Sequence, residues 1–280
     1  MELRARLVVE GFITGLHKSP YHGFSVEFAE HRQYMPGDDV KHLDWKIYGR
    51  TGRYYIKQYE EETNLKAYIL VDTSCSMEYS SGAGIPKRDF ACYLAASLAY
   101  MMIKQQDAVG LALFDEQLRT YLPPHSTRGY LREILAMLDS PKVGSGTGVG
   151  KSLHQVADRI KRRGLVIVIS DLLDDATEVM TALKHFRHKK NEVIVMQVLD
   201  PKERTFAFGE PALFEDLETG ERMTTQPWLI GEAYRSAMKG FLERYRKECL
   251  ENHIDYVLLD TLTPFDVALT QYLSKRERMY

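Results

Sequence analysis

The chain has 280 residues, of which 44% are hydrophobic and 27% are charged, and its formal net charge is −2. This composition is that of a soluble globular protein large enough for one α/β domain or two smaller ones. Without a basic excess, the chain is not expected to bind nucleic acid or an anionic membrane in general. Its three cysteines are too few for a disulfide framework and favour a cytoplasmic location.

No transmembrane segment is predicted. The longest apolar stretch, residues 90–103, is shorter than the roughly 20 residues that a membrane-spanning helix needs. Its many alanines favour instead a helix buried against a sheet.

Residues 1–64 predict an N-terminal β-rich segment that follows a short helix or irregular arm at 2–16. Turn residues at Pro36-Gly37-Asp38-Asp39 and around Gly52 bound a short segment, and a strand is predicted at 54–60. Two interpretations remain open for the aromatic and charged residues here. They form either β-ribbons in which Trp45 and tyrosines cover an edge of the main sheet, or a recognition surface of charged side chains. That surface would consist of Arg32, Asp38, Asp39 and Asp44.

Residues 65–280 alternate between strand and helix patterns, which is typical of an α/β domain. Apolar runs predict buried strands at 67–72, 109–115, 165–171, 192–198 and 256–260, and an edge strand at 118–122 that ends at Pro123-Pro124. Helices are predicted between them, namely at 86–106, from 126 or 127 past Leu138, from about 151 to 163, and at 176–188, 233–252 and 264–275. A small β insertion is predicted at 201–228.

Small oxygen-bearing side chains follow or precede these elements at three points. Asp72, Ser74 and Ser76 follow the first strand, Thr147 lies in a glycine-rich run before a helix, and Asp171 ends another strand. In an open parallel sheet, loops at the carboxyl ends of the strands line the ligand crevice. Hydroxyl and carboxylate oxygens suit Mg²⁺, so a magnesium site is predicted if the two strands are neighbours.

The sequence resembles two known families at these points. The three loops resemble the metal-ion-dependent adhesion site of von Willebrand factor A domains. The stretch 32–64 resembles the signature of the bacterial domain of unknown function fifty-eight, through Tyr34-Met35-Pro36-Gly37-Asp38, Asp44-Trp45-Lys46 and Lys57-Gln58-Tyr59-Glu60-Glu61. The resemblance implies a doubly wound, Rossmann-type α/β fold with a mostly parallel six-stranded sheet and helices on both faces.

The resemblance also implies roles for single residues. Ser74, Ser76 and Thr147 would bind Mg²⁺, or Mn²⁺ in its place, through their hydroxyls, and Asp72 and Asp171 would act partly through bound waters. One coordination position would be left for an acidic side chain of a protein partner. The implied function is a non-enzymatic, Mg²⁺-dependent adaptor that works with a MoxR-type AAA+ ATPase in the assembly or maturation of other proteins.

Many members of the family carry transmembrane helices before the signature. This chain shows none there, so a cytoplasmic location is expected.

An alternative interpretation starts from Gly150-Lys151-Ser152, which is similar to the end of a phosphate-binding loop, with Asp171 as the magnesium-binding aspartate of a nucleotide-binding protein or NTPase. Two features count against it. The first glycine of the motif would fall on Ser145, and the preceding residues 138–142 predict a helix end and a turn, whereas a phosphate loop follows a strand.

Overall fold

A computed structural model describes residues 26–35, 43–61, 66–82, 84–139, 141, 148–208, 212–215, 222–265 and 269. The described residues fall in two compact units, one up to residue 61 and one from Lys66 onward. The predicted arm at 2–16, the turn at 36–39 and nearly all of the helix at 264–275 lie outside the described residues. The domain division at residues 64 and 65 stays a prediction.

The first unit is an antiparallel strand pair with a short helix between the strands. Its elements are β1 (Val26–Gln33), α1 (Trp45–Thr51) and β2 (Tyr55–Glu61). The Asp44 carboxylate caps α1 by accepting hydrogen bonds from the backbone N–H groups of Lys46 and Ile47, at 2.9 and 3.2 Å. Gly52 ends the helix at φ 66°, a left-handed conformation that glycine adopts without steric cost.

The helix α1 was not predicted, since a strand-and-turn pattern was assigned to this segment. Trp45, the first residue of α1, has 61% of its surface exposed. Both interpretations of the aromatic and charged residues in this unit stay predictions.

The second unit alternates strands and helices along the chain. Its strands are β3 (Lys66–Asp72), β4 (Ala108–Phe114), β5 (Leu118–His125), β6 (Leu165–Ser170), β7 (Glu192–Leu199), β8 (Ala212–Glu215), β9 (Arg222–Thr225) and β10 (Asp255–Asp260). Its α-helices are α2 (Lys87–Lys104), α3 (Arg128–Asp139), α4 (Val149–Arg159), α5 (Ala176–His188), α6 (Pro201–Thr205) and α7 (Pro227–Glu251).

The main sheet has the strand order β10-β7-β6-β3-β4-β5, and every pair is parallel except the edge pair β4 and β5. The chain runs from β3 to β4 on one side and later from β6 to β7 on the other. The order therefore reverses between β3 and β6, which places a ligand crevice outside the carboxyl ends of these two strands.

Both faces of the sheet are covered, which explains why the central strands are apolar throughout. Almost every residue of β3, β4, β6 and β7 is buried. One face packs against α4, α5 and α7, and α2 lies against β3 and β4, with α3 beside it. The predicted α/β class and six-stranded, mostly parallel sheet are confirmed.

Several boundaries differ from the prediction. β5 continues through Pro123 and Pro124 to His125, which an edge strand tolerates because its outer N–H groups need no partner. α4 ends at Arg159 instead of 163, and α7 begins at Pro227 instead of 233, where proline fits a helix's first turn.

Candidate metal centre at the carboxyl ends of β3 and β6

Asp72 ends β3 and is fully buried. Its Oδ1 accepts a hydrogen bond from the backbone N–H of Ser74 at 2.9 Å, and its Oδ2 accepts one from the hydroxyl of Ser170 at 2.6 Å. Ser170 is the last residue of β6, so this bond joins the two strands on either side of the crevice. A carboxylate offers about four lone-pair sites, so both oxygens can still accept a further bond from water or a cation.

Ser74 and Ser76 place their hydroxyl oxygens 3.1 Å apart in the loop after β3. A short 3₁₀ helix, Cys75–Glu78, follows Ser74, and its Met77 side chain is fully buried. The buried methionine anchors the loop in the core, so the two hydroxyls are held on a well-packed support.

Asp171 follows β6 in a tightly held turn. Its Oδ1 accepts from the backbone N–H of Leu173 at 3.1 Å. Leu172 has φ 57°, a left-handed conformation that is uncommon and strained for a bulky side chain. The backbone N–H of Leu172 donates to the Ser170 hydroxyl at 2.9 Å, and its carbonyl accepts from Tyr245 at 3.3 Å. These bonds hold Asp171 at the mouth of the crevice.

A buried lysine contacts Asp171 directly. The Lys87 ammonium nitrogen lies 2.7 Å from Oδ2 of Asp171 and 2.6 Å from Oε1 of Glu203, and the Lys87 side chain has no exposed surface. Lys87 begins α2, and Glu203 lies in the capping box of α6 with Asp200. The lysine therefore joins the β6 turn to the β7–α6 junction.

The electrostatics of the centre follow from this burial. Loss of solvent and the nearby charge of Asp171 raise the pKa of Asp72 to about 7, against the lowering effect of its hydrogen bonds to Ser170 and Ser74. Burial alone would lower the pKa of Lys87, but the charges of Asp171 and Glu203 hold it above its usual value. Lys87 is thus an ammonium ion, whereas Asp72 has no cation among its described partners to favour its ionised form.

The structure brings together four of the five metal ligands predicted from the sequence. Asp72, Ser74, Ser76 and Asp171 meet at one edge of the sheet, while Thr147 lies outside the described residues. Within the described ranges, no group of three or more His, Cys, Asp or Glu side chains could hold a metal ion. Any metal here would depend on the hydroxyl oxygens.

The donor atoms fit a magnesium-type ion. Neighbouring ligands of an octahedral ion with bonds of 2.0–2.1 Å lie about 3 Å apart, and the Ser74 and Ser76 oxygens are separated by 3.1 Å. Asp72 keeps acceptor capacity beside them. Both oxygens of Asp171 already accept hydrogen bonds, from Leu173 and Lys87, which suits contact through water better than direct ligation.

The residues of the alternative phosphate loop have structural roles. The Ser152 hydroxyl is buried and donates to the carbonyl oxygen of Asp115 at 2.7 Å, and Lys151 is exposed on α4. A Cβ atom on Gly150 would lie 2.5 Å from Cγ of Glu178, so close packing of α4 on α5 requires this glycine. The described element before α4 is helix α3, whereas a phosphate loop follows a strand.

Sequence reasoning missed three residues that shape this centre: Lys87, Ser170 and Gln197. The Gln197 side-chain amide donates to the carbonyl oxygen of Asp171 at 2.6 Å, and its own oxygen accepts from Tyr256. The sequence did contain one indication that Lys87 has a buried partner. A cation in the first turn of a helix opposes the helix dipole, so a lysine there, before an apolar helix, indicates a nearby anionic partner.

Comparisons with known proteins give the family. Residues 30–242 match the model of the family described as "Protein of unknown function DUF58". The uncharacterized protein Rv1480 of Mycobacterium tuberculosis is 28% identical over 228 residues, which cover 79% of this chain and 69% of that protein. An uncharacterized protein of Mycobacterium bovis, Mb1516, matches to the same extent.

Solved structures share the fold. BatB of Bacteroides thetaiotaomicron is 20% identical with a TM-score of 0.50, and covers 76% of this chain and 99% of its own. An aerotolerance-related membrane protein of Bacteroides fragilis is 20% identical with a TM-score of 0.51, and covers 75% and 99%. The von Willebrand factor A domain of SpRpn10 is 14% identical, covers 75% and 95%, and has a TM-score of 0.42. The first two of these structures confirm the predicted doubly wound α/β fold.

The predicted cytoplasmic location is contradicted, because one of these structures is described as that of a membrane protein. Cysteine count and composition describe the solvent-exposed domain itself. They are the same whether that domain is free or held at a membrane. Among the helices that the structure describes, none has the length and apolar character needed to cross a membrane.

Proposed function

Because the chain belongs to the DUF58 family of proteins of unknown function, and its site combines hydroxyl and carboxylate oxygens, we propose that it is a Mg²⁺-dependent protein-binding adaptor and not an enzyme. The observation that carries this proposal is the Ser74–Ser76 hydroxyl pair, 3.1 Å apart beside Asp72, at the switch point of the sheet.

The ion would be held by Ser74, Ser76 and Thr147, with Asp72 and Asp171 bound through water. When bound, Mg²⁺ (or Mn²⁺) supplies a positive charge that attracts a carboxylate of the partner. Lys87 supports this role, because its ammonium already compensates part of the charge of Asp171. A divalent ion beside Asp72 would then keep a positive excess, and an acidic side chain would be its natural ligand.

The geometry supports binding more than chemistry. Both oxygens of Asp72 are engaged in hydrogen bonds. The next carboxylate along the loop, Glu78, forms an ion pair with Arg88. A general base needs a proton acceptor poised toward the reacting group. Asp72 is fully buried with its orientation fixed by two hydrogen bonds, and Glu78 is paired with Arg88.

The partner proposed is a protein that offers an acidic side chain, with a MoxR-type AAA+ ATPase as the associated machine in assembly or maturation of other proteins. The resemblance of the stretch 32–64 to the family signature supports this part of the proposal.

A calorimetric titration of chelator-stripped protein with Mg²⁺ tests the metal site. The Ser76→Ala variant should weaken binding at least tenfold, because Ser76 is half-buried and its hydroxyl makes its described contact with Ser74 alone. Ser97→Ala is the matched control. Its hydroxyl bonds within α2 to Tyr93 and lies ten residues, about 15 Å, along the helix from Lys87. Equal affinities in both variants would contradict the site.

The partner is tested by binding of a purified MoxR-type ATPase with and without Mg²⁺. Thr147→Val should reduce this binding far more than Lys151→Ala, whereas the reverse order, together with ATP binding that is lost in Lys151→Ala, would favour the nucleotide interpretation.

A further inference from the structure

A cavity of about 400 Å³ lies at the amino ends of β6 and β7. Its lining residues are Asp158, Ile160, Lys161, Arg162, Arg163, Lys189 and Asn191. The metal centre lies at the other end of the same strands, and the six residues of β6 separate the two places by about 20 Å. The cavity is therefore a separate place on the domain.

Two basic stretches that are distant in sequence meet at this cavity. One is Lys161-Arg162-Arg163, between α4 and β6, and the other is the end of α5 with Lys189. They come together because β6 and β7 are parallel neighbours, with the backbone N–H of Glu192 bonded to the carbonyl oxygen of Gly164 at 2.9 Å. A net charge of −2 for the whole chain thus hides a strong local positive excess.

One of the four cations has a structural partner. The Lys189 ammonium donates to the carbonyl oxygen of Ala157 at 2.6 Å and lies 3.3 Å from Oδ1 of Asp158. A cation at the carboxyl end of a helix compensates the unpaired carbonyl groups and the helix dipole. The end of α4 therefore accounts for the position of the Lys189 ammonium. The same lysine engages Asp158, the acidic residue in the cavity lining.

The other three cations have no such explanation. Lys161, Arg162 and Arg163 are exposed, and none of them forms an ion pair with a carboxylate among the described residues. Burial, and then the charge of Arg162, lower the pKa of Lys66 at the start of β3, which places a further cation near the cluster. Like charges repel, and an anion bound between them would relieve this repulsion.

The base of the cavity is rigid. Asn191 is fully buried, its Oδ1 accepts from the backbone N–H of Gly164 at 2.9 Å, and its amide donates to the carbonyl oxygen of Phe186 at 3.1 Å. Arg187 donates to the carbonyl oxygen of Asn191 at 3.0 Å. The two loops that carry the cations are therefore fixed to each other and need little reordering to receive a ligand.

We propose that this basic pocket binds a phosphate-bearing anion through Lys161, Arg162 and Arg163. Arginine is well suited to this role because its planar group donates two parallel hydrogen bonds to phosphate oxygens. The cavity volume lies in the range of small-ligand sites, roughly 300–1,000 Å³, so it fits a compact phosphate ester and not a long polymer. The same chemistry is offered by a soluble phosphorylated molecule and by a lipid headgroup.

The test uses the full chain and two probes at low salt. Inorganic pyrophosphate is titrated by calorimetry, and sedimentation is measured with vesicles of phosphatidylcholine that contain or lack phosphatidylglycerol. The Arg162→Gln/Arg163→Gln variant is compared with Arg246→Gln/Lys247→Gln, which removes two adjacent exposed cations from α7 outside the cavity lining. Thermal unfolding of both variants establishes that they are folded.

We expect the first variant to weaken binding at least tenfold and the control variant to weaken it less than twofold, with affinity falling as salt increases. Binding of pyrophosphate alone identifies a soluble ligand, and binding of only the anionic vesicles identifies a lipid headgroup. Absence of binding to both probes, or equal losses in the two variants, overturns the proposal. Mg²⁺ binding at the metal centre is independent of all these outcomes.

Discussion

The ammonium nitrogen of Lys87 lies 2.7 Å from Oδ2 of Asp171, and both side chains are buried from solvent. The same ammonium contacts Glu203 at 2.6 Å, so one charge serves two carboxylates from different parts of the chain. The candidate metal centre thus contains an internal cation that is part of the fold.

Replacing this lysine tests its structural role. Lys87→Met should lower the free energy of unfolding by about 3–5 kcal/mol, because it leaves Asp171 and Glu203 buried with no cation between them. Urea denaturation in the presence of a chelator measures the change. Lys151→Met is the control, since Lys151 occupies the first turn of α4 but is exposed, and it should change stability by under about 0.5 kcal/mol. A loss below about 1 kcal/mol in Lys87→Met would contradict the role assigned to the ion pair.

Asp72→Asn should abolish Mg²⁺ binding and leave the protein folded, because the amide keeps the shape of the carboxyl group. The pKa of Asp72 is raised to about 7, so ionising it in the metal-free fold is unfavourable. Through this group, metal-free wild-type protein should lose stability as pH rises from about 4 through 7, by at most roughly 4 kcal/mol, and the variant should lose correspondingly less.

Urea unfolding at several pH values, with and without Mg²⁺, measures both effects of the Asp72 substitution. Asp115→Asn is the control, because Asp115 is a buried aspartate just after β4 that pairs with Arg119 at 2.6 Å and lies outside the predicted ligand set. Retention of Mg²⁺ binding in Asp72→Asn, or its loss in Asp115→Asn, would argue against the assigned ligands.

Gly150→Ala tests whether the glycine-rich run serves packing. The added Cβ would lie 2.5 Å from Cγ and 3.0 Å from the backbone carbonyl carbon of Glu178, so a destabilisation of about 1–3 kcal/mol is expected. Gly129→Ala on α3 has open space around its Cβ and should stabilise the helix by about 0.5–1 kcal/mol. Chemical denaturation of both variants gives the comparison, and a neutral Gly150→Ala would mean that α4 does not pack closely on α5.

The contact between two histidines gives a second pH dependence. Nδ1 of His154 lies 3.1 Å from Nδ1 of His185, so at least one ring must be neutral for a hydrogen bond. Burial is the main cause that lowers the pKa of His185, followed by the charge of Lys189. His154 and His188 lower it further, whereas the charge of Asp158 raises it. A histidine with a lowered pKa contributes stability above about pH 6.5 that is lost as the pH falls.

We therefore expect the difference in stability between wild type and His185→Gln to shift against wild type as the pH falls from about 7.5 to 5.5. His188→Gln is the control, because His188 is exposed on the same helix. Identical pH profiles for wild type and His185→Gln would show that this pair does not titrate with folding.

Local patterns predicted the central strands because burial on both faces demands continuous apolar residues. The run 67–71 before Asp72 could be assigned for this reason, and so could the run 165–169 before Ser170 and Asp171. The helix α1 escaped prediction, because its capping aspartate and final glycine are also typical of turns and its seven residues show no clear helical period.

The sequence by itself determined the order of strands and helices, and the identity of the oxygen-bearing residues at the strand ends. Both are written in short segments of chain, through apolar runs and the residue types that follow them. Only the tertiary structure decided that β3 and β6 are neighbours, that Lys87 reaches Asp171 and Glu203, and that basic residues from two loops share a cavity. These contacts join residues from about 25 to more than 100 positions apart, and their formation depends on the packing of the whole sheet.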